Sequence, residues 1–193
     1  VLTGDINPSG KLPFTWPASL QDVGAHKLNA YPGVWRADHQ IIDEEYKEGL
    51  YVGYRWVDKE KTTPLFSFGH GLSYTDFKLS NLRADKKIMS SDGNITFTVD
   101  VKNTGKRAGA EVVQLYITDL QSSLPRPMKE LKGFKKVSLN PNETKTVSIT
   151  IDKSALSFYD DGSKRWTAEP GDFVAKVGNA SDHLPLEIGF TLK

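Results

Sequence analysis

From residue 76 onward, short runs in which apolar and polar residues alternate recur about every ten residues, each closed by turn chemistry. Ile95, Phe97, Val99 and Val101 alternate with Thr96, Thr98 and Asp100 and end at Asn103-Thr104-Gly105-Lys106. Val113, Leu115 and Ile117 alternate with Gln114, Tyr116 and Thr118. Val147, Ile149 and Ile151 follow Asn140-Pro141-Asn142, Phe173, Ala175 and Val177 follow Pro170-Gly171, and Leu186, Ile188 and Phe190 come last. Phe77 to Leu82 leads the series and Leu131 to Val137 sits inside it. A period of two puts every second side chain on one face, so each run buries one face only. About seven such strands over roughly 115 residues predict two sheets packed face to face, a β-sandwich.

The size matches an immunoglobulin-like sandwich, and the absence of cysteine favours the fibronectin type III-like version, which needs no bridge between its sheets. The fold class expected is therefore mainly β. Lysine and arginine total 25 against 24 acidic residues, a net charge of +1. That balance creates no field of the kind nucleic acid or an anionic membrane selects, so neither is expected as a partner. No run approaches the roughly 18 to 20 consecutive apolar residues of a membrane span.

Residues 1 to 75 read differently. There is no initiator Met, and Val1 leads at once into Gly4-Asp5-Ile6-Asn7-Pro8-Ser9-Gly10, whose breakers predict a loop. The chain is accordingly expected to be a piece of a longer polypeptide. Leu12, Phe14 and Trp16 alternate with Lys11, Pro13 and Thr15, and with two prolines this predicts an edge strand. Residues 18 to 45 keep no clean period and are expected to hold little regular structure. Gly49 to Val57 alternates again, predicting a strand with one buried face. Pro64 to Leu72 packs apolar residues around Gly69 and Gly71, as a buried connector would, and the domain boundary is expected near residue 75.

Local chemistry points to no active site. His26, His39, His70 and His183 never stand three to five residues apart, so no metal motif forms. There is no Gly-x-Ser-x-Gly elbow, phosphate loop or dinucleotide fingerprint, and hence no cofactor is implied. Asp43, Glu44, Glu45 and Glu48 form a charge run of the kind that is usually a solvated face. Trp16, Trp35, Trp56 and Trp166 offer either sugar-stacking platforms or packing, with packing favoured by the area that aromatics bury.

Longer strings carry more information. Gly4-Asp5-Ile6-Asn7-Pro8-Ser9-Gly10-Lys11-Leu12-Pro13 resembles a motif near the end of the second, α/β sandwich domain of family 3 glycoside hydrolases. Glu48 to Trp56 and the connector Pro64 to Thr75 are similar to segments that follow it there. Gly109 to Tyr116, Pro125-Arg126-Pro127 and Lys129 to Phe134 resemble the terminal fibronectin type III-like domain of the β-glucosidases in that family. The resemblance implies residues 1–45 as the tail of the α/β domain, 46–75 as the connector and 76–193 as the terminal domain. It also implies a parent enzyme that hydrolyses terminal β-linked glucose with retention, in the periplasm or outside the cell. Such enzymes use a nucleophile and an acid/base carboxyl about 5 to 5.5 Å apart. Neither motif occurs here, so no catalytic residue is expected in this chain, and both are expected in upstream domains that would be its partners. A parent that is a β-xylosidase or another exo-β-glycosidase, or a sandwich that binds carbohydrate without cleaving it, is the alternative. If sugar is touched at all, Trp35, Tyr54 and Arg55 are the candidates, since aromatic faces stack on sugar rings and Arg donates to hydroxyls.

Overall fold

The structure is a computed structural model that describes residues Val1 to Lys193. A 3₁₀ turn (Leu20–Asp22) and helix α1 (Gly24–Lys27) precede a small hairpin, β1 (Val34–Arg36) and β2 (Ile41–Asp43), and then helix α2 (Tyr54–Glu60). The sandwich follows: β3 (Phe77–Ala84), β4 (Ile88–Met89), β5 (Asn94–Asn103), β6 (Gly109–Asp119), β7 (Glu130–Leu139) and β8 (Thr144–Asp152). After α3 (Lys153–Leu156) come a second hairpin, β9 (Phe158–Asp160) and β10 (Arg165–Thr167), and the closing strands β11 (Gly171–Gly178) and β12 (Leu186–Leu192).

The strands form a five-stranded sheet in the order β4-β12-β11-β6-β7 and a three-stranded sheet in the order β3-β5-β8. All seven expected strands are present. Register follows the alternation: Ile95, Phe97 and Val99 of β5 sit opposite Ile151, Ile149 and Val147 of β8, so apolar partners share the inner face. From the other sheet Val113, Leu115, Phe173, Ala175, Val177 and Phe190 meet them in one cluster of 18 buried side chains. Phe190 stacks on Phe173 and meets Phe97 edge-on, with centroids 5.6 and 5.5 Å away. Burying a side chain of this size stabilises the fold by ~1.5–3 kcal/mol.

Three local expectations before residue 76 are corrected. Leu12 to Trp16 is no strand: Pro13 and Pro17 cannot donate, and only the isolated bridge between Trp16 and Phe66 forms. Gly49 to Val57 is no strand either. Gly53 turns the chain at φ 64, and Tyr54 to Glu60 coils into α2 with Trp56 on its buried side. Trp56 packs over Gly24 and donates from Nε1 to the Asp22 carbonyl at 3.0 Å, tying α2 to α1. Residues 18 to 45 likewise carry more regular structure than expected, in α1 and the β1–β2 hairpin.

Candidate functional site

A strand in a two-sheet sandwich buries one face; β6 buries both. Val113, Leu115 and Ile117 point into the core, while Gln114 and Tyr116 on the opposite side are also buried. The cover over this outer face is the segment before residue 76. Tyr54 of α2 meets Tyr116 edge-to-face at 5.6 Å and lies 5.5 Å from Phe68 of the connector. Gly69 rests on the Gln114 amide with φ +85, so any Cβ there would run into that amide as well as strain the backbone. The Phe68 carbonyl accepts from the Ser181 amide at 2.9 Å.

Tyr116, Gln114, Asn179, Glu111 and Lys11 are linked in a continuous polar chain. Tyr116 Oη donates to Gln114 Oε1 at 2.6 Å, and Gln114 Nε2 donates to the Asn179 carbonyl at 2.8 Å. Asn179 Nδ2 donates to Glu111 Oε2 at 2.9 Å, while Lys11 Nζ stands 2.7 Å from Glu111 Oε1. Burial pushes the Tyr116 phenol far above its ordinary value, and the nearby Tyr54, Asp58 and Asp182 add to the shift, so it acts as a neutral donor. The Gly4–Pro13 motif closes the next stretch. Asn7 Oδ1 accepts from the Tyr74 amide at 2.8 Å and Ser73 Oγ at 3.0 Å, and its Nδ2 donates to the Ala108 carbonyl at 2.9 Å. Arg107 donates to the Gly4 carbonyl at 2.8 Å. The residues of the longest motifs therefore hold one another across the seam.

A second, ionic cluster joins α2 to the start of β7. Arg126, almost fully buried, pairs with Asp119 at 3.0 Å and with Glu130, and donates to the Leu156 carbonyl at 2.9 Å. Arg55 reaches Glu130 at 3.2 Å, Lys132 stands 3.6 Å from it, and Lys129 pairs with Asp58. Burial alone would raise the Glu130 carboxyl, but Lys132, Arg126 and Arg55 outweigh it and hold it below the usual carboxylate range. Burial lowers the Lys132 amine, and the opposing pull of Glu130 only partly offsets that.

The three sugar-contact candidates are not brought together. Tyr54 Oη accepts from the Leu131 amide at 3.0 Å, and Arg55 is held by Glu130, so both are engaged in the seam. Trp35 lies on the β1–β2 hairpin, 58% exposed beside Val34, Ile41 and Ile42. Of the carboxylate run, Asp43 pairs with Arg36 at 2.7 Å and Glu45 with Lys47 at 3.2 Å. The seam residues Asn7, Lys11, Glu111, Gln114, Tyr116, Arg126 and Glu130 all lie in the motifs that carry the family resemblance, but the sequence assigned them no role. The available signal was in β6, where the outward positions are Gln114 and Tyr116, while the equivalent positions of β5 are Thr and Asp.

Comparison with known proteins accounts for this architecture. Residues 1–74 match the glycosyl hydrolase family 3 C-terminal domain, and residues 111–181 match the fibronectin type III-like domain. The chain is 49% identical over 186 residues to Beta-glucosidase BoGH3A of Bacteroides ovatus, covering 95% of this chain and 24% of that protein. It is also 49% identical to Thermostable beta-glucosidase B of Acetivibrio thermocellus, covering 97% of this chain and 24% of that one. The solved structure of beta-glucosidase 3B from Thermotoga neapolitana in complex with α-D-glucose superposes with a TM-score of 0.87 at 36% identity, over 99% of this chain and 25% of the other. The chain thus spans about a quarter of the length of the curated relatives it matches. It belongs to glycoside hydrolase family 3 and matches the C-terminal portion of the relatives named above.

Proposed function

We propose that this chain is the non-catalytic end of an enzyme that removes terminal β-D-glucosyl residues with retention, and that it serves as a docking and support body for the domains that carry the chemistry. The observation that carries the reading is the one-sided cover over β6. Residues before 76 use one side to seal Gln114 and Tyr116, and leave Phe14, Trp16, Trp35 and Leu72 exposed by 48, 50, 58 and 74%. Apolar surface on that scale is what a domain interface buries. The division of labour runs 1–45 for the α/β tail, 46–75 for the connector and 76–193 for the sandwich. The nucleophile and the acid/base carboxyl belong to the upstream part, in keeping with the paired-carboxylate chemistry of retaining glycosidases.

Of the three residues proposed to approach sugar, Trp35 keeps the role, because its ring is exposed on the β1–β2 hairpin. Tyr54 and Arg55 reach substrate only indirectly, by fixing α2 against β7. The test is hydrolysis of aryl β-glucoside and aryl β-xyloside by the purified 193-residue chain, with intact mass measured in the same sample. No release above blank is expected. Turnover by this chain alone would overturn the reading and direct attention to Asp43, Glu44, Glu45 and Glu48.

A further inference from the structure

We infer that Lys11, Glu111 and Asn179 form a self-processing site, in which the Lys11 amine condenses with the Asn179 carboxamide and joins the segment before residue 76 to the sandwich by a covalent amide bond. The three residues come from separate parts of the fold: Lys11 from the 4–13 motif, Glu111 from β6 and Asn179 from the turn that follows β11. The Glu111 carboxylate stands between the other two. Its Oε1 is 2.7 Å from Lys11 Nζ, and its Oε2 accepts from Asn179 Nδ2 at 2.9 Å. An amine beside a carboxylate is an ordinary ion pair. An amine and a carboxamide on the two oxygens of one carboxylate set a nucleophile, a base and a leaving group in a row.

Asn179 is fixed on every side. His183 Nδ1 lies 2.8 Å from Asn179 Oδ1, and since a carboxamide oxygen only accepts, that nitrogen is the donor. The Asn179 backbone carbonyl accepts from Gln114 Nε2 at 2.8 Å, and its backbone amide donates to the His183 carbonyl at 3.3 Å. The side chains of Glu111 and Lys11 are only 7 and 16% exposed, which limits competition from water.

Glu111 takes one proton from the Lys11 ammonium, and the freed Nζ attacks Asn179 Cγ as its flexible four-carbon stem turns. The His183 N–H faces the oxyanion that forms on Oδ1. Glu111 passes its proton to Nδ2 and relays a second one from Nζ as the Cγ–Nδ2 bond breaks. The released nitrogen leaves as ammonium through the cavity of about 290 Å³ that all three residues line. An ammonium and a primary amide go in, and a secondary amide and one ammonium ion come out, so atoms and charge balance without a co-reactant. Holding both groups in one place supplies the entropy that an unaided attack of an amine on an amide lacks. The bond forms without glycoside hydrolysis, so its absence leaves the functional reading intact.

Intact mass spectrometry of the purified chain, before and after prolonged incubation at mildly alkaline pH, tests the inference. A mass below the sequence value by one ammonia is expected, together with a tryptic digest that contains one branched peptide joining residues 1–27 to residues 177–193, uncut at Lys11. Glu111→Gln removes the base, and Lys11→Arg keeps a positive charge beside Glu111 but offers no amine to form the bond. Both variants should keep their full sequence mass while circular dichroism shows them folded. A natural chain that retains its full mass would overturn the inference. So would ammonia loss confined to one linear peptide, as a cyclic imide at a single asparagine gives, or the same branched peptide in folded Glu111→Gln.

Discussion

The two sheets of the sandwich have opposite outer surfaces. The three-stranded sheet turns Thr96, Thr98 and Asp100 of β5 outward, with Thr146 and Thr150 of β8 beside them, and that face is partly or fully open to solvent. Its polar groups bond to one another, as Thr96 to Thr150 at 2.9 Å and Thr146 to Asp100 at 2.7 Å. The five-stranded sheet instead turns Gln114 and Tyr116 of β6 toward α2 and the connector, where both are sealed. A sandwich core needs only the inner faces of its sheets. A strand buried on both faces therefore identifies the side on which the rest of a protein docks, and here the docked segment exposes further apolar surface of its own.

The sharpest way to break this contrast is Tyr116→Ala. It removes a fully buried ring from the seam and should cost about 3 to 5 kcal/mol in denaturant unfolding, as large core truncations do. Arg126→Met leaves Asp119 and Glu130 short of a buried countercharge and should cost about 3 kcal/mol by the same measurement. Asn7→Ala deletes three hydrogen bonds at a more exposed place and should cost about 1 to 2 kcal/mol, loosening residues 4 to 10 while the sandwich stays intact. On the open sheet, Thr98→Ala should change stability by less than about 0.5 kcal/mol. A loss there as large as that of Tyr116→Ala would erase the distinction between the two faces.

Acid sharpens the same comparison. The folded Glu130 carboxyl lies below its unfolded value, so the unfolded chain binds more protons in the window between them. Its contribution is thus complete above the unfolded value of about 4.3 and is lost as pH falls through the folded one. Thermal midpoints measured from pH 6 downward should show this part of the decline in the natural chain and not in Glu130→Gln.

The sandwich was legible because strict alternation over five or more residues admits one structure, and β5, β6, β8, β11 and β12 all carry it. The hairpin β9–β10 was not, since its strands are three residues each and Trp166 stays 71% exposed. Helix α2 was read as a strand because seven residues are too few to separate a period of 3.6 from a period of two, and Trp56 fits either. The seam escaped detection for a different reason. Its pairs, such as Lys11 with Glu111 and Arg55 with Glu130, are brought together across long stretches of chain by the docking itself, and no local spacing encodes that. Only the bulk of Tyr116 at an outward position hinted at a covered face.

Native-state hydrogen exchange on the isolated chain tests the central claim most directly, because it reads each amide's opening separately. The amides of β5, β6, β8 and β11 should exchange most slowly. Seam amides such as those of Leu131 and Gly69 should be intermediate, and those of the β1–β2 hairpin around Trp35 should exchange fastest. Protection of the hairpin equal to that of β6 would contradict the account, since residues before 76 would then form a finished core rather than one face of an interface.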